Sequence, residues 1–151
     1  MKKFLASGVI LSTLILSGCS SAPDMTDWIS YSHGTAADFG FSLKHPVGLN
    51  ISTLSTGAIL FSDPQQKGET VFEVRKVYQS AAEAFAEKKK VSGAEEESSV
   101  STADGGMATS LCFSQSSKKS CEYYVDAEKA SSYIISDYSD LQIVRTFQVL
   151  K

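Results

Sequence analysis

The sequence predicts an α+β domain, an antiparallel β-sheet of about seven short strands with one or two covering helices. Three observations carry this: short apolar runs that alternate with polar residues, Gly, Pro and Asp turns that punctuate them, and a single clear change of period near residue 80. Residues 39–43 set Phe39, Phe41 and Leu43 between small residues and stop at Pro46 and Gly48, a strand and its turn. Residues 49–53 and 58–62 follow as short strands, and Asp63-Pro64 through Gly68 forms the next turn. Residues 70–78 make the longest strand, with Phe72 and Val74 on one side and Glu73 and Arg75 on the other. Ser80-Ala81-Ala82-Glu83 is a capping box opening a helix over residues 80–90, and Lys88, Lys89 and Lys90 suit the negative end of its dipole. Glu95, Glu96 and Glu97 stand close behind and offset that basic run, which reads as a solvated helix end. Strands at 98–103 and 107–113 flank the turn Asp104-Gly105-Gly106, and strands at 121–125 and 132–138 come next. Tyr123 and Tyr124 alternate sides of their strand, so at least one is expected to face the core, with room for one to be exposed. At the end, Asp140 is placed to cap a short helix marked by Leu141, Val144 and Phe147, which finishes extended over 147–150. Many of the 25 serines alternate with apolar residues, the pattern of solvent-facing sheet positions.

Composition sets the limits within which this fold works. The chain has 151 residues, 42% hydrophobic and 21% charged, which fits one domain and excludes wholesale disorder or a polytopic membrane protein. Its net charge of −3 and a pI near 5.4 argue against nucleic acid as a partner, because that affinity comes from Lys and Arg set against phosphates.

The N-terminus has the parts of an export signal: Lys2-Lys3, an apolar run over residues 4–16, then Ser17-Gly18. The run is short of the roughly 20 apolar residues that cross a bilayer. Leu16-Ser17-Gly18-Cys19 resembles the lipobox of bacterial lipoproteins. The resemblance implies cleavage between Gly18 and Cys19 and a diacylglycerol thioether on the Cys19 sulfur, a membrane partner held through lipid, and a place in the cell envelope facing away from the cytoplasm. Ser20 after the cysteine resembles an outer-membrane address where the source has two membranes. The domains expected are a signal peptide over 1–18, a lipidated tether and approach segment over 19–37, and one α+β domain over 38–151. Loss of residues 1–18 removes Lys2 and Lys3 and takes the charge from −3 to −5, so the lipid and not the surface charge does the anchoring.

Three cysteines are an odd count for an exported chain. With Cys19 assigned to lipid, Cys112 and Cys121 remain on two strand-like runs joined by the polar stretch 114–120, and pairing as a hairpin brings them to disulfide range. Their spacing is not C-x-x-C, and with His33 and His45 they make no zinc-ligand pattern.

The order of elements resembles the PsbP/Mog1-like domain. The residues that carry it are Phe39, Phe41, Pro46 and Gly48, the segment Ile59-Leu60-Phe61-Ser62-Asp63-Pro64, the S-x-x-E helix start and the Asp104-Gly105-Gly106 turn; Leu49 stands where that family usually has Trp. The resemblance implies an α/β/α sandwich and a non-enzymatic accessory or binding role.

For chemistry the sequence offers no nucleophile elbow, P-loop, dinucleotide fingerprint, HExxH or EF-hand loop, and it is read as a non-enzyme with no cofactor. His33 sits in a polar approach segment, and His45 is read as a turn residue held extended by Pro46. Trp28, Ile29 and Tyr31 are either a partner-binding patch or the first edge of the core. The function expected is a lipid-anchored cell-envelope protein, a non-catalytic binding or accessory module whose partner, an envelope protein among the candidates, the sequence does not assign. A small envelope hydrolase or metal-dependent enzyme, and a wall-associated structural lipoprotein, are the alternatives.

Overall fold

The computed structural model describes residues 24–93, 96–115, 118–128 and 130–151; the segment expected to be a signal peptide, with Gly18, and Cys19 lie outside the described residues. The strands in chain order are β1 (Trp28–His33), β2 (Phe41–Pro46), β3 (Asn50–Thr53), β4 (Ile59–Asp63), β5 (Glu69–Val77), β6 (Glu96–Ser101), β7 (Met107–Gln115), β8 (Lys118–Glu128), β9 (Ser131–Asp137) and β10 (Gln148–Val149). Helix α1 (Ala81–Val91) follows β5. The strands form two antiparallel sheets, one of seven in the order β3-β4-β5-β9-β8-β7-β6 and one of three in the order β1-β2-β10. The architecture is therefore α+β, with two sheets where one was expected.

Helix α1 lies on one face of the large sheet. Its capping box is formed, with the Ser80 side chain accepting from the Glu83 amide and Glu83 Oε2 accepting from the Ser80 amide at 3.0 Å. A second carboxylate from the sheet helps: Asp126 Oδ1 accepts the Ala81 N–H at 2.8 Å. The buried helix residues are only Ala81 and Ala84, small enough to bring the helix axis down onto Leu111, Tyr124 and Ile134, while Phe85 meets the Tyr124 ring edge-on at 5.6 Å. Lys88 closes the far end, 3.0 Å from Glu122 Oε1 and over the Phe113 ring.

The opposite face packs on the small sheet and the 3-10 turn Ile143–Thr146. Phe61 stacks on Phe72 at 4.1 Å, and Phe41 stacks on Phe147 at 5.2 Å with Tyr133 set edge-on to it. The Tyr133 hydroxyl donates to the Phe39 carbonyl at 2.7 Å, and burial pushes its pKa up to about 12.

Several sequence expectations change here for physical reasons. A strand, β1, forms within the segment expected as an approach, because its alternating Trp28 and Tyr31 pack on the core while its backbone pairs with β2. The polar stretch 114–120 is mostly ladder, since β7 and β8 continue their pairing to Gln115 and Lys118. The C-terminal helix is only a four-residue 3-10 turn, for Asp140 and Gln142 take left-handed conformations (φ 53° and 52°) that no α-helix continues through. Tyr123 and Tyr124, of which at least one was expected in the core, are both buried, Tyr123 toward the small sheet and Tyr124 under the helix, because both sheet faces are covered. Ser110, Ser131, Ser132 and Ser136 are likewise buried, against the expectation that strand serines face solvent.

Gly40 shows how tightly β1 and β2 are joined. Its N–H donates to the Thr35 carbonyl at 2.8 Å, and a Cβ there would run into the His33 carbonyl oxygen and the backbone of Gly34 and Thr35. Backbone cannot swing aside as a side chain can. Gly40→Ala is expected to destabilise by roughly 1–3 kcal/mol in chemical unfolding, whereas Gly93→Ala, which meets nothing within 4 Å, is expected to leave the midpoint unchanged.

Candidate functional site

The candidate site is a cleft of about 620 Å³ where the start of β5, the start of β8 and the chain after β9 come together. Glu69 and Thr70 supply one wall, Lys118 and Lys119 another, and Tyr138, Ser139 and Asp140 the third, with Val71 among the lining residues. Donors and acceptors of both charges around an apolar side chain suit the holding of a polar ligand or a polypeptide. Two smaller clefts continue from it around the same loop. One, toward Pro46 and Leu49, shares Gln66, Val71 and Ser139; the other, over the paired cysteines and Arg145, shares Lys119 and Asp140.

The loop that lines all three is held by one buried carboxylate. Asp137 ends β9 with no solvent exposure, and its Oδ1 accepts the amides of Ser139 at 3.0 Å and Leu141 at 3.3 Å. Residues Asp140 and Gln142, both left-handed, curl the backbone so that successive N–H groups face inward around the carboxylate. Oδ2 is buried without a hydrogen-bond partner among the described residues. Burial raises the Asp137 pKa, and the amides of Ser139, Leu141, Ile143 and Gln142 pull against that rise without cancelling it. An Asp closing an apolar strand with a Ser two residues on is an Asx-turn signature, the signal by which the sequence could have disclosed this residue.

The expected site residues are placed as follows. Cys112 and Cys121 face each other across the β7–β8 ladder, with sulfurs 2.10 Å apart and Cα atoms 4.1 Å apart, and Asp137 is the cross-strand partner of Cys121 on the other side. His33 is exposed on β1, its Nδ1 3.5 Å from the Tyr31 hydroxyl. His45 lies within β2 and not in a turn; it is buried beside Phe61 and donates from Nδ1 to the Pro46 carbonyl at 2.8 Å. That bond makes it a satisfied core histidine. Trp28 and Tyr31 are half-buried against the core, and Ile29 between them is exposed. Among the described residues, no three His, Cys, Asp or Glu side chains converge as metal ligands. No helix among the described residues is long and apolar enough to cross a membrane.

No protein-family model matches the sequence, and no curated protein matches it. The chain is similar to a crystal structure from Bacteroides thetaiotaomicron VPI-5482, with 14% identity and a TM-score of 0.49 over 81% of this chain. It spans about half of that structure's length, 48%.

Two outcomes are expected from this geometry. Removing the cross-strand bond by Cys112→Ala with Cys121→Ala is expected to cost about 2.5–3 kcal/mol, because the small loop it closes constrains the unfolded chain; urea midpoints with and without reductant measure it. For Asp137, the unfolded chain ionises first as pH rises from its ordinary value of 3.8, so the stability this group contributes is present in acid and lost as pH climbs through the raised folded value. Asp137→Asn keeps an oxygen for the Ser139 and Leu141 amides and is expected to flatten that decline. Identical pH profiles for the two proteins would remove Asp137 from the account.

Proposed function

We propose that this chain is a lipid-anchored protein of a bacterial cell envelope, a non-catalytic module that binds or assists another envelope component. The observation that carries the reading is the order Lys2-Lys3, an apolar run over residues 4–16, and Leu16-Ser17-Gly18-Cys19. Charge, apolar length and the small residues before a cysteine all point to one processing event. Lipidation at Cys19 and cleavage after Gly18 would leave nine residue steps to the start of β1 at Trp28, a reach of at most roughly 30 Å for an extended chain. The domain would thus work close to the membrane surface, held by acyl chains in the bilayer.

The second half of the proposal concerns what the domain does there. Its described clefts are open, with both polar and apolar walls, and they are lined by loop and strand-end residues drawn from distant parts of the chain. This is the kind of surface that holds a partner by shape and hydrogen bonding. Kinship with the PsbP/Mog1-like domain belongs to the same proposal. It is supported by the capped helix after the long strand and by the Phe39 to Gly48 and Ile59 to Pro64 motifs, although here the layer opposite α1 is a three-stranded sheet with a 3-10 turn.

The test is the mass and partitioning of the full chain made in a bacterium. The mature protein is expected to begin at Cys19, to carry the mass of a diacylglycerol, and to enter the detergent phase; Cys19→Ser is expected to stay unprocessed and lose the lipid mass. A chain that keeps residues 1–18, or leaves Cys19 unmodified, would overturn the reading.

A further inference from the structure

The two outer edges of the seven-stranded sheet are treated differently. At one, Glu97 of β6 is held 2.6 Å from Lys89 of the helix, so charge guards the edge. At the other, all four residues of β3 are exposed, and no charged residue and no proline occurs anywhere from Val47 to Ser62. Ile51 is 40% exposed and Leu54 46%. The outer strand of the small sheet, β1, begins behind exposed Asp24 and Asp27. Within the large sheet, β3 is the edge that carries neither charge nor proline.

The phase of its backbone is fixed by its neighbour. Leu54 donates its N–H to the Ala58 carbonyl across the turn, at 2.8 Å, and backbone groups alternate along a strand. Asn50 and Ser52 therefore spend their N–H and C=O groups on β4, opposite Ser62 and Leu60, while Ile51 and Thr53 direct theirs away from the sheet.

We propose that β3 is a self-association edge, through which two copies of this chain pair antiparallel about Ser52 and make their large sheets continuous. Two outward residues spaced two apart are their own complement. Ile51 falls opposite Thr53 of the second copy and Thr53 opposite its Ile51, and each facing pair exchanges both of its backbone bonds. Charge favours a second copy as the occupant. The chain is acidic overall, so two copies joined at a charged edge would repel, but the run from Val47 to Ser62 brings no charge to the seam. Side chains agree, because Ile51 lies on the Phe61 side of the sheet and would meet the Thr53 methyl of the second copy there. The proposal is independent of the lipid anchor.

The test uses the full chain in detergent, with micelles in large excess over protein. Sedimentation velocity is expected to show a dimer that grows with concentration, and the Ile51 and Thr53 amides are expected to slow their hydrogen exchange in step with it, while Ser52 is slow at every dilution. Thr53→Pro removes one outward N–H and leaves the β4 ladder intact, and Ile51→Lys brings charge to the seam; each is expected to weaken dimerisation by at least about tenfold. Ser99→Lys on the β6 edge, with a matching thermal melt, is expected to leave it unchanged. A monomer at all concentrations, a dimer retained by both β3 variants, or exchange at Ile51 and Thr53 that ignores concentration would overturn the proposal.

Discussion

The central strands of the large sheet are covered on both faces, and most of the structure answers to that constraint. All seven residues of β9 are buried, so neither half of the usual alternation can be given to solvent. Ile135 and Tyr133 go to the small sheet, Ile134 goes under α1, and the intervening serines are buried with them. The two covers differ in thickness. Helix α1 approaches through Ala81 and Ala84, whereas the small sheet fills the other side with rings, each stacked or edge-on pair worth about 0.5–1.5 kcal/mol beyond its buried area. A strand this enclosed leaves its polar groups only protein to bond with.

That enclosure explains Asp137. A carboxylate at the end of a fully buried strand has lost its water, and the chain after it compensates by turning amides inward through two left-handed residues. Left-handed conformation at a non-glycine residue costs about 1–2 kcal/mol, so Asp140 and Gln142 hold it because the carboxylate and the packed Ile143 and Val144 over-determine the turn. The same loop then lines the cleft and its two extensions. Site shape and core stability are thus coupled through one side chain, and the Asp137→Asn pH profile reports on both.

What the sequence disclosed was local. The capped helix was legible because Ser80, Glu83 and the three lysines speak to backbone groups within one turn or at one end. The strands over 39–78 were legible from alternation and from Pro and Gly. The division into two sheets was not, since β2 pairs with β1 and with β10 from the far end of the chain, and no run of residues records a partner a hundred positions away. For Tyr123 and Tyr124 the limit is the same: alternation says which side of a strand a residue takes, and only tertiary structure says whether that side is covered. In the candidate site the cysteine pair stands out as a spacing, Asp137 is marked only by the Asx-turn pattern it makes with Ser139, and the cleft, assembled from residues 66 to 71, 118 to 120 and 138 to 140, has no sequence signature at all.

The β3 edge is a sharper case of the same limit. Catalysis needs particular side chains at particular distances, so it leaves residue types that can be searched for. An edge that pairs through backbone N–H and C=O groups uses what every residue has, and its mark on the sequence is an omission, the missing charge and proline that protect other edges. A search for motifs passes over sixteen neutral residues as ordinary strand and turn. They become informative only once the fold shows which strand lies at the rim, that its outward groups belong to Ile51 and Thr53, and that the opposite rim is guarded by Glu97 and Lys89. For a chain with few side chains of evident chemistry, the distribution of charge over strand edges is therefore where its interactions are best sought.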